Sequence, residues 1–168
     1  MIKEEQLLEQ KELRNKLVSR VDILEKVKSL LLIPQTDFAN TKQVADFYEV
    51  NESNVKMLYA AHKDEFTEDG VCNKNKDEIR KSTDLTTVKE QKSQTKVTFI
   101  FDNGFELDVP NRGIKTFPRR AILRVGMLLR DSEVAKRVRT ALLDIEEKTS
   151  IEVKVQDIDE EQKLAIEI

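Results

Sequence analysis

A chain of 168 residues with one Cys and one His suits one or two small domains, and it excludes an internal disulfide or a four-ligand Cys/His metal site. Hydrophobic residues make up 39%, charged residues 36% and aromatic residues 5%, with no Trp, four Gly and three Pro; this is a folded composition whose core rests on Leu, Ile and Val, with too few turn residues for an all-β fold. The net charge of -3 predicts no nucleic-acid partner by itself, and the absence of a long apolar run or a signal-peptide pattern predicts a protein of a reducing cytoplasm, with no membrane partner.

The expected fold class is α+β, mainly α with a small β-hairpin. Residues 1–33 are expected as a long amphipathic helix, running over 3–32, with Leu13, Leu17, Leu24, Val27 and Leu31 on one face. Such a seam packs on the C-terminal helices or on a second copy of the chain, which makes a homodimer one expectation. Pro34 ends it.

Residues 34–70 are expected as a helix-turn-helix. Thr41 is placed as the N-cap of a helix over 41–48. Glu49-Val50-Asn51 makes a tight break, and a second helix runs from about Glu52 to Lys63. Val44, Tyr48, Val50, Val55 and Leu58 supply the buried set, with small Ala45 at the close approach. Residues 71–95 read as a polar linker or wing, with a short helix near Lys76–Lys81.

Residues 96–149 are expected as a hairpin plus a two-helix domain. Val97, Phe99 and Phe101 alternate on one arm, and Phe105, Leu107 and Val109 on the other. A three-residue loop, Asp102-Asn103-Gly104, gathers all six on one face with Gly104 left-handed. The hairpin is expected to pack on the following helix pair. The first of those helices, with Pro118 at its first position, carries the stripe Ala121, Ile122, Val125, Leu128 and Leu129; the second, capped by Asp131 or Ser132, carries Val134, Val138, Ala141, Leu142 and Ile145. Gly126 in mid-helix marks a close contact. Residues 150–168 read as an acidic tail: Ile151–Val155 extended, then the start of a further helix at Asp159–Ile168 that stops without a cap, as a piece of a longer protein would.

The chemistry concentrates in two places. A DNA-reading helix needs one face fixed on its neighbour and a small polar outer face for the major groove. Thr41, Lys42, Ser53, Asn54, Lys56, Tyr59 and Lys63 are the candidate DNA-binding residues; Asn pairs with adenine, and Lys with a phosphate or guanine. The second place is the basic run over 115–139, where Arg119, Arg120, Arg124, Lys136 and Arg137 form a second phosphate-contacting patch or, in the plainer reading, a solvated surface. His62 is expected as a packing or capping residue and Cys72 without a role. No catalytic residue, phosphate loop or nucleophile motif is present, so neither an enzyme nor a cofactor is expected.

The run Thr41-Lys42-Gln43-Val44-Ala45-Asp46-Phe47-Tyr48-Glu49-Val50, with Val55, Leu58 and His62, and the run Phe117 to Ser132 resemble a group of proteins encoded by Firmicutes genomes and their prophages. More distantly they are similar to phage antirepressor-type regulators of the Rha, Bro-N and KilA-N kind. The resemblance covers about residues 15–148 and implies a DNA-binding or repressor-antagonising role in a bacterial cytoplasm. The expected function is a sequence-specific DNA-binding transcriptional regulator of double-stranded DNA; the alternative is a protein-interaction factor, an antirepressor or an inhibitor of a host defence protein, that does not bind DNA.

Overall fold

The computed structural model describes residues 4–148; the expected acidic tail over 150–168 lies outside the described residues. In place of one long N-terminal helix there are three short ones, α1 (Glu4–Glu9), α2 (Lys11–Leu17) and α3 (Asp22–Val27). Arg14 explains the first break. It is buried, and its Nη1 donates to the carbonyls of Leu7 and Leu8 at 3.0 and 3.1 Å, groups that the end of α1 leaves without helical partners. Segmentation lets Leu7, Leu17, Val18, Ile23 and Leu24 all enter the main core. The expected seam is therefore used within the chain, with Leu31 alone of its members left largely exposed.

The chain then forms β1 (Phe38–Asn40), α4 (Thr41–Tyr48), α5 (Glu52–Ala61), α6 (Lys63–Glu68) and β2 (Cys72–Lys74). Asn40, not Thr41, is the N-cap of α4: its side chain accepts from Gln43 N, and Gln43 returns the bond to Asn40 N, a reciprocal capping box. Glu49 ends α4 in the left-handed region at φ 58°, a position where glycine is the usual choice. The turn is tight because Val50 N reaches back to Ala45 O at 3.0 Å. Val44, Ala45, Tyr48 and Val55 are buried, with Val50 and Leu58 packed beside them.

Residues 71–95 are more than a polar linker, and the short helix expected near Lys76–Lys81 forms. Besides β2 they hold α7 (Lys76–Ser82) and β3 (Lys89–Lys92), which pairs with β4 (Lys96–Ile100). β4 pairs with β5 (Glu106–Pro110) in the register Val97↔Val109 and Phe99↔Leu107. Phe101 N donates to Phe105 O at 2.9 Å, and Gly104 takes φ 88°, so the three-residue loop forms as its sequence requires. The apolar face of this sheet does not pack on the later helix pair. It closes a separate core with Ile33, Ile79 and Val88.

β6 (Ile114–Pro118) returns to the first layer and lies between β1 and β2, in the registers Ala39↔Phe117 and Cys72↔Thr116. Both sheets are thus antiparallel and three-stranded, ordered β1-β6-β2 and β3-β4-β5, and the fold is α+β. Pro118 ends β6 and is the N-cap residue of α8 (Arg119–Leu128) rather than its first helical residue. α8 is buried on every side from Ala121 to Leu128. Its Gly126 lies where a Cβ would stand 2.5 Å from Tyr48 Oη and 3.0 Å from Val138, the close contact expected of it. A last helix, α9 (133–148), is capped by Ser132, whose Oγ accepts from Ala135 N and donates to Tyr48 O. Val134, Val138 and Leu142 of α9 are buried, and Ala141 and Ile145 partly so.

Candidate nucleic-acid interface

α5 packs one face and presents the other. Val55 is fully buried, Leu58 and Tyr59 are half-buried, and Glu52, Ser53, Asn54, Lys56, Met57 and Ala60 are exposed. This asymmetry follows from the sequence: the apolar residues at core-facing spacing are Val55, Leu58 and Tyr59, and small or polar residues fill the remaining positions apart from Met57, which stays 70% exposed.

Between the starts of α4 and α5 and the strands β2 and β6 lies an open cleft of about 430 Å³. Thr41, Lys42 and Lys56 line it, as expected of a shared surface, together with Asn73, Arg112 and Lys115. The second helix stops at Ala61 and not at Lys63 as expected, because His62 leaves the helical conformation (φ -128°, ψ 37°); Lys63 is exposed at the start of α6, and its charge and that of Lys56 both act on Lys115. Lys115 Nζ rests 3.6 Å above the Tyr59 ring, so Tyr59 is a shelf for a lysine rather than a free stacking group. Ser53 is exposed on α5, while Asn54 lines a different groove of about 380 Å³, with Met57, His62 and Leu128.

The second patch does not assemble. Arg124 is 1% exposed and belongs to a buried ion cluster. Its Nη1 donates to Glu65 Oε1 at 2.6 Å, its Nε and Nη2 bond Asp69, and Nη2 also reaches Asn15. Arg14 completes the cluster with two bonds to Glu65 at 2.8 and 2.9 Å. Burial pushes the Glu65 carboxyl up, but the bonds and charges of Arg14 and Arg124 outweigh it and hold the carboxyl below the usual range. Arg119 turns to Asp37 at 3.3 Å and Glu25 at 3.9 Å. Arg120 is about half exposed, with Nε 3.9 Å from Asp69 Oδ1. Lys136 borders a hollow that also holds Glu4, Glu5, Asp131 and Glu133, and Arg137 is exposed on α9.

His62 ends α5, with Nδ1 3.1 Å from Glu65 Oε2; its partner is the ion cluster, which fits a capping and packing role. Cys72 is exposed on β2, its Sγ 3.7 Å from Thr116 Oγ1.

Arg112 and Lys115 are the residues that sequence reasoning left out of the reading surface. Their partners come from β2 and α5, some 40 to 60 positions earlier, and no local pattern announces that pairing. The one available signal was Gly113. At φ 87° it needs to be glycine, and a Cβ there would stand 2.5 Å from Asn73 Nδ2 and 2.7 Å from Lys74 O. Among the described residues, no group of three or more His, Cys, Asp or Glu is placed to hold a metal ion, and no helix is long and apolar enough to cross a membrane. Comparison with family models, with curated proteins and with solved structures finds no match to the chain.

Proposed function

We propose that this chain is a sequence-specific DNA-binding regulator of transcription, of phage or prophage type, acting in the bacterial cytoplasm without catalytic activity. The observation that carries the reading is the outer face of α5: open, mostly small and polar apart from Met57, fixed from behind by Val55, and bordered by the cations Lys56, Lys63 and Lys115. A helix so mounted fits the major groove, which is about 12 Å wide. Ser53, Asn54 and Lys56 on it are the proposed reading and positioning residues, with Lys63 at the start of α6 beside them, and Lys42 with Thr41 sits at the start of α4, where free N–H groups favour a phosphate.

The topology supports the same reading. After the N-terminal helices come β1, the helices α4 and α5 joined by a tight turn, and then β2 and β6 with β6 central; this is the order of a winged helix-turn-helix with the short α6 added between α5 and β2. In place of a short wing the chain inserts residues 75–113, with their own sheet and core. Three strands span roughly 10 Å between outer strand axes, against a minor groove about 6 Å wide, so the insertion rides outside the groove. The antirepressor-type kinship rests on the two sequence runs alone. A homodimer remains part of the proposal, through a face other than the N-terminal seam.

A second reading, capture of a regulator or a host protein, draws on the groove where Met57, 70% exposed, meets Leu8 and Leu128. A gel-shift titration of the intact chain against the DNA upstream of its own gene separates the two. Binding that weakens in Lys56→Ala and Lys63→Ala supports the regulator. Binding unchanged by both substitutions removes α5 as the reading helix, and absence of salt-sensitive binding together with a stable protein partner supports the second reading.

A further inference from the structure

The cleft between α4, α5 and β6 carries four cationic side chains, Lys42, Lys56, Arg112 and Lys115, and one carboxylate, Glu52. Glu52 pairs only loosely, at 3.9 Å from Lys56. Among the described residues no ion pair engages Lys42, Arg112 or Lys115, whereas the arginines of the interior are fully paired. The cations arrive from separate parts of the chain: Lys42 from the start of α4, Lys56 from the middle of α5, Arg112 from the turn before β6 and Lys115 from β6 itself. Like charges gathered this way repel one another, and an arrangement of that kind is relieved when an anion sits among them.

The cleft is also held in shape. Gly113 lets the turn before β6 press against Lys74, and Asn73 Nδ2 donates to Arg112 O at 2.9 Å. Lys115 Nζ is seated on Tyr59, whose ring is itself 6.0 Å from that of buried Phe66. A lysine fixed in this manner loses little side-chain freedom on binding.

We infer that this cleft seats a backbone phosphate of duplex DNA, gripped by Lys115 and Arg112 from the β6 side and by Lys56 and Lys42 from the helix side, so that the backbone of one strand runs across the junction of α4, α5 and β6. The inference rests on the DNA-binding reading of α5 and adds to it the site that fixes the duplex in register. A phosphate contact positions without reading sequence. Burial and the charges of Lys63 and Lys56 depress the proton affinity of Lys115, as expected of an ammonium waiting for a counter-ion.

The test is an anisotropy titration of the intact chain with a labelled duplex at a series of salt concentrations, for the wild type, Lys115→Met, Arg112→Met and, as a lysine of the other sheet, Lys92→Met. Circular dichroism melts check that each variant folds. The wild type and Lys92→Met should share one slope of log affinity against log salt. Lys115→Met and Arg112→Met should each flatten it by about 0.9 and weaken binding alike on specific and unrelated duplexes. Folded variants with the wild-type slope overturn the cleft assignment and leave the α5 reading intact; a wild type with no salt-sensitive binding overturns both. Inorganic phosphate, followed by the side-chain NMR signal of Lys115, forms the second arm. A Lys115 signal that moves with phosphate but not with the duplex makes the cleft a small-anion site and contradicts the backbone assignment.

Discussion

Arg124 Nη1 lies 2.6 Å from Glu65 Oε1, inside the protein, though the two residues are 59 positions apart. The bond ties α8 to α6, and Arg14 ties α2 to the same carboxylate. α5 meets the same cluster at its end, where His62 Nδ1 lies 3.1 Å from Glu65 Oε2, so these paired charges join the N-terminal helices, α6 and α8 beneath the end of α5.

Removing one partner from such a cluster leaves the others buried and uncompensated. Arg124→Met is expected to destabilise the fold by about 3–5 kcal/mol, and Arg120→Ala, whose side chain is about half exposed, by less than about 1 kcal/mol. Urea denaturation midpoints for the two variants check the contrast. Similar midpoints would place Arg124 at the surface after all.

Glu65 also sets an acid limit. Its carboxyl is held below the usual range in the folded state, so its stabilising contribution is present in full above the unfolded-state pKa and disappears as pH falls through the lowered folded value. Urea melts between neutral pH and pH about 3 should show a steep loss of stability in the wild type. In Glu65→Gln stability should be lower at neutral pH and less dependent on pH across that acid range.

Tyr48 and Gly126 cross so closely that a Cβ at position 126 would stand 2.5 Å from Tyr48 Oη. Tyr48 Oη donates to Ile122 O at 2.6 Å, and burial pushes its phenol well above the usual range. Gly126→Ala gains about 1 kcal/mol of helix propensity but drives a methyl into a hydroxyl that cannot swing away, an overpacking penalty of about 1–3 kcal/mol. The expected result is net destabilisation. Combining it with Tyr48→Phe should lose less than the sum of the two single changes, as measured by a thermal-denaturation double-mutant cycle.

Lys115 faces Tyr59, Lys56 and Lys63. Its proton is held less tightly than in a free lysine, first through burial and then through the two neighbouring charges. A bound phosphate favours the charged form, so DNA affinity is expected to fall as pH rises through the lowered lysine pKa, with a proton taken up on binding. Lys115→Arg, which stays charged, should abolish that alkaline fall in an anisotropy titration.

What was legible in the sequence was what short-range rules govern. The turn at Glu49 and the helices beside it follow from apolar spacing over a few residues, and the hairpin register follows from alternation plus Gly104. The cap was misplaced by one position because Asn40 and Thr41 are both good N-caps, and only Gln43 reaching back to Asn40 decides between them. The breaks in the N-terminal helix carry no Gly or Pro; the first goes with Arg14, which is drawn inward to Glu65, 51 residues away. The first sheet was invisible for the same reason, since Phe38 finds Pro118 and Cys72 finds Thr116 across stretches with no shared pattern. Arg124 read as a surface cation because its helical spacing from Arg120 is regular, and nothing local shows that α8 is covered on all sides.

The most direct measurement is an amide NMR titration of the intact chain with a duplex carrying its own upstream sequence. Shifts concentrated at the start of α4, along α5 to Lys63, and over Asn73 and 112–115 are the predicted result. A spectrum that does not change, or shifts confined to the β3-β4-β5 sheet, would contradict it.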